Sequence, residues 1–225
     1  MAEQEGVSPT REEYLEQIYR LEKEHGVART KQLAEVVGVS LGTVTNTIAS
    51  LKRQKLVTHE PYKGVKLTAA GHKIAINVLR RHRLAERLLT DFLNMDWSTV
   101  HDHACRLEHS VTDDLTKPLE KALGHPTTCP HGNPIPTMCG GLLEEKSRSL
   151  LELDKGEKSV VVKIVKERRD LLKYLLTINL VPTAQIEIVE KAPFNGPITV
   201  KVNGQRQPIS RNIASIVWVK KERVD

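Results

Sequence analysis

Residues 30–68 carry the pattern that most limits what this chain can fold into. Residues 30–37 (Thr-Lys-Gln-Leu-Ala-Glu-Val-Val) form a short amphipathic segment, Gly38-Val39-Ser40 supplies a turn, and residues 41–54 make a second helical run. Glycine closes a helix because it accepts a left-handed backbone, and serine opens one because its hydroxyl takes an orphan backbone N–H. Two short extended runs follow, 55–60 and 65–68, around Pro61-Tyr62-Lys63-Gly64. Helix, turn, helix and hairpin in that order predict a winged helix-turn-helix.

The elements around this module are legible from the same signals. Ser8-Pro9-Thr10 followed by acidic residues predicts a helix N-terminus with a hydroxyl cap, and Tyr14, Leu15, Ile18 and Leu21 recur at helical spacing. A long helix is expected over 68–93 and another over 100–123. Residues 124–141 are rich in Pro, Gly and Thr and read as a linker that is neither helix nor central strand. Beyond 151, the β-branched runs at 160–165, 185–189, 198–202 and 216–219 predict a small β-barrel-like domain with one helix near 171–176. The expected class is α+β, with a DNA-binding domain over 1–75, a helical domain over 76–142 whose proline-rich linker occupies 124–142, and a β domain over 143–225.

Charge points to the partner. The chain has 34 Lys plus Arg against 28 Asp plus Glu. Residues 25–66 hold Arg29, Lys31, Lys52, Arg53, Lys55, Lys63 and Lys66 against only Glu35 and Glu60. Basic charge beside a recognition helix suits phosphate, and short polar side chains at that helix's start suit base edges. Ser40, Thr43, Asn46 and Thr47 are therefore expected to face the groove of double-stranded DNA, with Arg53 and Lys63 on the backbone. Three cysteines are too few for a disulfide framework, and neither a leader nor a membrane-spanning run is evident, so a soluble cytoplasmic protein is expected.

The helices after the wing carry a second chemistry. His82 and Glu86 are four apart and share a face. His101, Cys105, Glu108 and His109 fall at offsets that would put them on one stripe of a continuous helix. Imidazole, thiolate and carboxylate together suit a divalent transition metal. Cys129, His131 and Cys139 offer a weaker zinc alternative, since their spacing matches no standard knuckle.

These segments resemble the diphtheria toxin repressor family of iron- and manganese-dependent regulators. The likeness is carried by 13–19 (Glu-Tyr-Leu-Glu-Gln-Ile-Tyr), 81–89 (Arg-His-Arg-Leu-Ala-Glu-Arg-Leu-Leu), 100–109 (Val-His-Asp-His-Ala-Cys-Arg-Leu-Glu-His) and 132–136 (Gly-Asn-Pro-Ile-Pro). It implies a homodimeric repressor of palindromic operators, with an SH3-like (FeoA-like) C-terminal domain and two metal sites per subunit. The primary site would use Cys105, Glu108 and His109 with Glu13, joined by Glu16. The ancillary site would use His82, Glu86 and His101, completed from the C-terminal domain by Glu167 and Asp170. Iron-type members of that family place methionine where this chain has Glu13, while manganese-type members place an acid there and a glutamate where it has Cys105, so the chain mixes the two patterns. The soft thiolate favours Fe2+, with Mn2+ the alternative and Ni2+, Co2+ or Zn2+ able to substitute in vitro.

Two rival readings stand beside this one. A metal hydrolase or oxygenase would need an open, water-activating position and a second acid–base pair, neither of which the sequence suggests, so no enzyme is expected. A winged-helix regulator of an organic ligand would leave the histidine-rich stripe incidental.

Overall fold

The computed structural model describes residues 7–60 and 63–221. The chain forms two compact units. One takes in residues up to His82 together with 108–112 and 136–141, and the other takes in 83–107, 113–135 and 142 onward.

The first unit is built on α1 (Pro9–His25), α2 (Thr30–Val37) and α3 (Leu41–Arg53). Pro9 sits in the first turn of α1 after Ser8, but the Ser8 hydroxyl makes no capping bond, contrary to expectation. Pro9 and the acidic first turn start the helix without it. Tyr14, Leu15, Ile18 and Tyr19 are buried along one face of α1, each apolar side chain worth about 1.5–3 kcal/mol of transfer energy. Gly38 ends α2 at φ 73°, and the Ser40 hydroxyl accepts from the Thr43 amide at the start of α3. Val44, Ile48 and Leu51 bury the inner face of α3, so its other faces remain wet.

Strands β1 (Val57–Glu60) and β2 (Gly64–Leu67) pair antiparallel from Val57↔Leu67 to Glu60↔Gly64, and Ala28 bridges to Val65 as a third short rung. The wing is therefore tied to the loop between α1 and α2. Pro61 and Tyr62 of the expected wing turn lie outside the described residues. Helix α4 (Ala69–Asp91) starts after Thr68, whose hydroxyl accepts from the Gly71 amide.

The helix expected over 100–123 is broken. It runs as α5 (Val100–Leu107), a 3-10 turn (Glu108–Ser110) and α6 (Asp113–Ala122). Ser110, Val111 and Thr112 are poor helix interior residues, Val111 is buried, and Asp113-Asp114 are suited to a fresh N-terminus. Glu108 and His109 consequently do not continue the α5 stripe on which the sequence placed them.

The segment expected as a linker is packed instead. Cys129, His131, Asn133 and Ile135 are buried, and Thr128 pairs with Pro134. Gly132 adopts φ 84°, and a Cβ there would lie 1.9 Å from the Val162 carbonyl oxygen. Prolines exclude helix, but their carbonyls can still be satisfied: Arg83 donates to Pro134 O in one unit, and Arg80 to Pro136 O in the other.

Among the described residues, the C-terminal part holds a six-stranded antiparallel sheet of order β3-β8-β4-β5-β6-β7: β3 (Arg148–Ser149), β4 (Lys158–Ile164), β5 (Gln185–Lys191), β6 (Ile198–Val202), β7 (Gln205–Ile209) and β8 (Val217–Lys221). Irregularities at 161–163 in β4 and 188–190 in β5 bend it. Helices α7 (Arg169–Thr177) and α8 (Arg211–Ile216) complete the domain, and Leu150, Ile164, Leu172, Leu175, Ile188, Val200 and Val219 are central in its core.

Candidate metal centre

In the first unit, one oxygen or nitrogen from each of Glu13, Glu108 and His109 lies within 4.8 Å of the others. The buried face of α1 fixes Glu13, and the 3-10 turn brings in the other two. His109 Nε2 is 3.4 Å from Glu108 Oε1 and 3.9 Å from Glu13 Oε2. The other Glu108 oxygen, Oε2, lies 2.5 Å from His82 Nδ1, both side chains being shut off from solvent. Glu108 Oε1 is buried and makes no hydrogen bond among the described residues. Burial pushes the Glu108 carboxyl above its usual range and Glu16 adds to this, while His82 and His109 pull the other way. A buried carboxylate with an orphan oxygen beside an imidazole and a second carboxylate fits a divalent cation.

Neighbouring groups hold this cluster. Glu12, which the sequence did not single out, takes His109 Nδ1 at 2.8 Å and Arg81 Nη2 at 2.6 Å. Glu16, buried, accepts from Arg20 at 2.7 Å and 3.0 Å.

The second unit holds a buried set of its own residues, with donors from Glu86, Cys129, His131 and Glu167 within 4.8 Å of one another. Glu86 comes from α4, Cys129 and His131 from the packed proline-rich loop, and Glu167 from the turn before α7. His131 Nδ1 is 3.3 Å from Glu86 Oε1 and 3.7 Å from Glu167 Oε1. Neither contact is aligned as a hydrogen bond, so they act through charge. His131 Nε2 donates to the Trp97 carbonyl at 3.0 Å, which leaves Nδ1 facing the carboxylates. Asn133 fixes Glu167 with a 2.7 Å bond and is itself held by Ile164 O at 2.8 Å.

His101, on α5, reaches this set from one side: its Nδ1 is 3.3 Å from Glu86 and 3.2 Å from Glu167. Burial lowers the His101 pKa, but Cys105, Glu167 and Glu86 outweigh it and hold the ring proton up to about 11. Against the pull of burial, Glu86 and Glu167 likewise raise His131. Burial, reinforced by the same carboxylates, pushes the Cys129 thiol well above its usual range. Without a cation, protons hold these groups together.

Glu13, Glu108 and His109 come together in one unit, where Glu16 pairs with Arg20 and His82 with Glu108. Glu86, His101 and Glu167 come together in the other, where Cys105 Sγ lies 3.7 Å from His101 Nε2. Asp170 is exposed and pairs with Arg168. Cys129 and His131 do converge, but with Glu86 and Glu167, while Cys139 is exposed in the first unit.

On α3, Ser40, Thr43 and Asn46 are exposed and Thr47 half-buried; Arg53 is exposed in the last turn, and Lys63 on the wing pairs with Glu60 at 2.7 Å. The Ser40 and Thr43 hydroxyls lie 2.9 Å apart, and Thr47 donates to Thr43 O at 3.0 Å.

Comparison with known proteins agrees with this organisation. Residues 7–65 match the iron dependent repressor N-terminal DNA binding domain, 68–137 the iron dependent repressor metal binding and dimerisation domain, and 148–221 the FeoA domain. The iron-dependent repressor IdeR of Mycobacterium leprae is 35% identical, the match covering 94% of this chain and 97% of that protein. This chain belongs to the iron-dependent repressor family. The diphtheria toxin repressor of Corynebacterium efficiens is likewise 35% identical, with 94% of this chain and 95% of the relative covered. Among solved structures, a manganese-dependent transcriptional repressor in complex with manganese superposes with a TM-score of 0.85 at 31% identity, covering 94% of this chain and all of that one. IdeR of T. acidophilum gives 0.81 at 27%, covering 96% and 99%. As a member of the family, the chain is a metal-dependent, DNA-binding transcriptional repressor with a dimerisation domain. No helix among the described residues is long and apolar enough to cross a membrane.

Proposed function

We propose that this repressor is a cytoplasmic, ferrous-iron-responsive homodimer that reads palindromic operator DNA, acts by binding rather than catalysis, and holds two metal ions per subunit. The observation that carries the proposal is the orphan Glu108 Oε1, buried beside His109 and Glu13. Glu13 lies on α1, whose buried face packs against α2 and β2, and α2 in turn packs on the recognition helix α3. A group that tethers Glu13 to the 108–110 turn therefore bears on the scaffold that aims α3.

In this reading Glu13, Glu108 and His109 form one ligand set, and Glu86, Cys129, His131 and Glu167 the other, with His101 beside it. Glu16 and Asp170 are assigned no ligation, because Arg20 and Arg168 engage them. A divalent cation would supply positive charge that permits several carboxylates and neutral imidazoles to share a buried site. Residues 1–75 read DNA, 76–142 carry ligands and the dimer contact, and 143–225 contribute Glu167. The Cys129 thiol gives the second set a soft donor and favours iron over manganese. Manganese remains the alternative because Glu13, Glu108 and His109 offer oxygen and nitrogen alone, and the solved relative of TM-score 0.85 is described as manganese-dependent. Free cysteines at 105, 129 and 139 accord with a reducing compartment.

The test is fluorescence anisotropy of a labelled palindromic promoter fragment under anaerobic conditions, with Fe2+, Mn2+ or chelator. Coupling of about 1–3 kcal/mol should tighten binding about 5- to 150-fold with metal. A larger effect for Fe2+ than for Mn2+ at equal free concentration supports the iron assignment, and the reverse order replaces it with manganese.

A further inference from the structure

His109 serves the first ligand set only if its ring presents a lone pair to Glu13 and Glu108. A neutral imidazole carries its proton on either nitrogen, and the hydrogen bond made by one nitrogen decides what the other offers. At His109 that bond is specific. Nδ1 lies 2.8 Å from Glu12 Oε2, and an ionised carboxylate accepts but cannot donate, so in a neutral ring this contact calls for the proton on Nδ1. Nε2 then faces Glu108 Oε1 at 3.4 Å and Glu13 Oε2 at 3.9 Å as an acceptor.

Glu12 is itself fixed. Its other oxygen takes Arg81 Nη2 at 2.6 Å, with only 12% of the arginine side chain and 15% of the glutamate side chain exposed. Arg81 Nη1 also donates to Val111 O at 3.4 Å, two residues past His109. The arginine thus staples Glu12 to the turn that carries the histidine. Successive residues on a helix project about 100° apart, so Glu12 and Glu13 flank the ring, one at each nitrogen. Both Glu12 oxygens are engaged, which separates its role from that of Glu13.

We infer that Glu12 is the positioning residue of this site: anchored by Arg81, its carboxylate holds His109 with Nδ1 protonated and so aims the Nε2 lone pair at the Glu13 and Glu108 oxygens. The inference rests on the metal reading of that cluster. It also accounts for a contrast between the two sets, since His131 is oriented through the opposite nitrogen and by the neutral Trp97 carbonyl. A carboxylate partner raises the basicity of the ligating nitrogen more than a carbonyl does, and loss of such a partner typically costs 10–100-fold in metal affinity.

The test uses the full-length protein, with Mn2+ as the metal probe. Two-bond 15N–1H correlation in metal-free protein, at a pH where His109 is neutral, reads its tautomer directly. Calorimetric Mn2+ titration reads affinity at each set. In Glu12→Ala the Nδ1–H tautomer should lose its dominance and affinity at the first set should fall about 10–100-fold, with the set around Cys129 unchanged. Glu12→Gln, whose amide oxygen still accepts from Nδ1–H, should restore the tautomer and much of the affinity. Wild-type protein with the His109 proton on Nε2 overturns the inference, even if Glu12→Ala fails to fold. So does a Glu12→Ala protein of normal tautomer, whether or not its affinity falls. Wild-type protein with the Nδ1–H tautomer but no Mn2+ broadening of His109 overturns the metal reading itself, a pattern distinct from either.

Discussion

His131 and Trp97 are joined twice: the imidazole Nε2 donates to the tryptophan carbonyl at 3.0 Å, and the two rings lie 4.9 Å apart at 58°. The indole N–H in turn donates to Pro130 O at 2.9 Å, which fastens Trp97 to the loop that presents Cys129 and His131. A fluorophore thus touches one of the donors.

Trp97 should therefore report binding at the second set. Mn2+ added to metal-free protein is expected to quench tryptophan emission saturably. Cys129→Ser should shift that transition to higher Mn2+, and Trp97→Phe should remove it, leaving only Trp218. Steady-state fluorescence titration checks all three, and an unaltered transition in Trp97→Phe would contradict the assignment.

The loop that carries those donors depends on one backbone position. Gly132 at φ 84° leaves no room for a side chain, since a Cβ would stand 1.9 Å from Val162 O. Gly132→Ala should destabilise the second unit by about 2–4 kcal/mol, seen as a lower urea midpoint, and should weaken metal binding at Cys129 and His131 at temperatures where the unit remains folded.

The raised proton affinity of His101 gives a pH dependence of definite sign. Its folded pKa of about 11 exceeds the ordinary 6.5, so its contribution to the stability of metal-free protein is complete below 6.5 and drains away as pH climbs toward 11. Chelator-treated protein should lose stability across that window, and His101→Gln should lose less. The protons on the Cys129 thiol and the His131 ring must leave when metal binds that set, so affinity should rise with pH, with proton release visible as a buffer-dependent enthalpy in calorimetry.

On the DNA side, Asn46→Ala should cost about 1–3 kcal/mol and relax base preference at one operator position, if Asn46 pairs with adenine. Lys63→Ala should weaken all sequences alike and lower the salt slope by about one. Salt-dependent binding to wild-type and base-substituted operators separates the two behaviours.

How far the sequence spoke for itself followed from how local each signal was. Gly38 and Ser40 delimit their helices through groups within four residues, and the wing followed from alternation around a turn. The β-branched runs marked most of the C-terminal strands. The Ser8 cap failed because a suitable hydroxyl is necessary for a capping bond but does not compel one. The proline-rich segment reads as a linker for a different reason: its order comes from Arg80, Arg83, Asn133 and the Gly132 fit, all contacts between distant positions. Cys129 and His131 meet Glu86 only through that packing, so their sequence spacing alone could not reveal their partners. Glu12 was legible only as one more acid on α1, and its value emerges from Arg81 and His109.

The most direct test is anomalous diffraction from crystals of the full-length protein grown with Mn2+ or, anaerobically, Fe2+, recorded on either side of the metal edge. A peak among Glu13, Glu108 Oε1 and His109 Nε2 is the expected result. Well-ordered side chains there with no anomalous density between them, in protein that still binds operator in a metal-dependent way, would contradict the account.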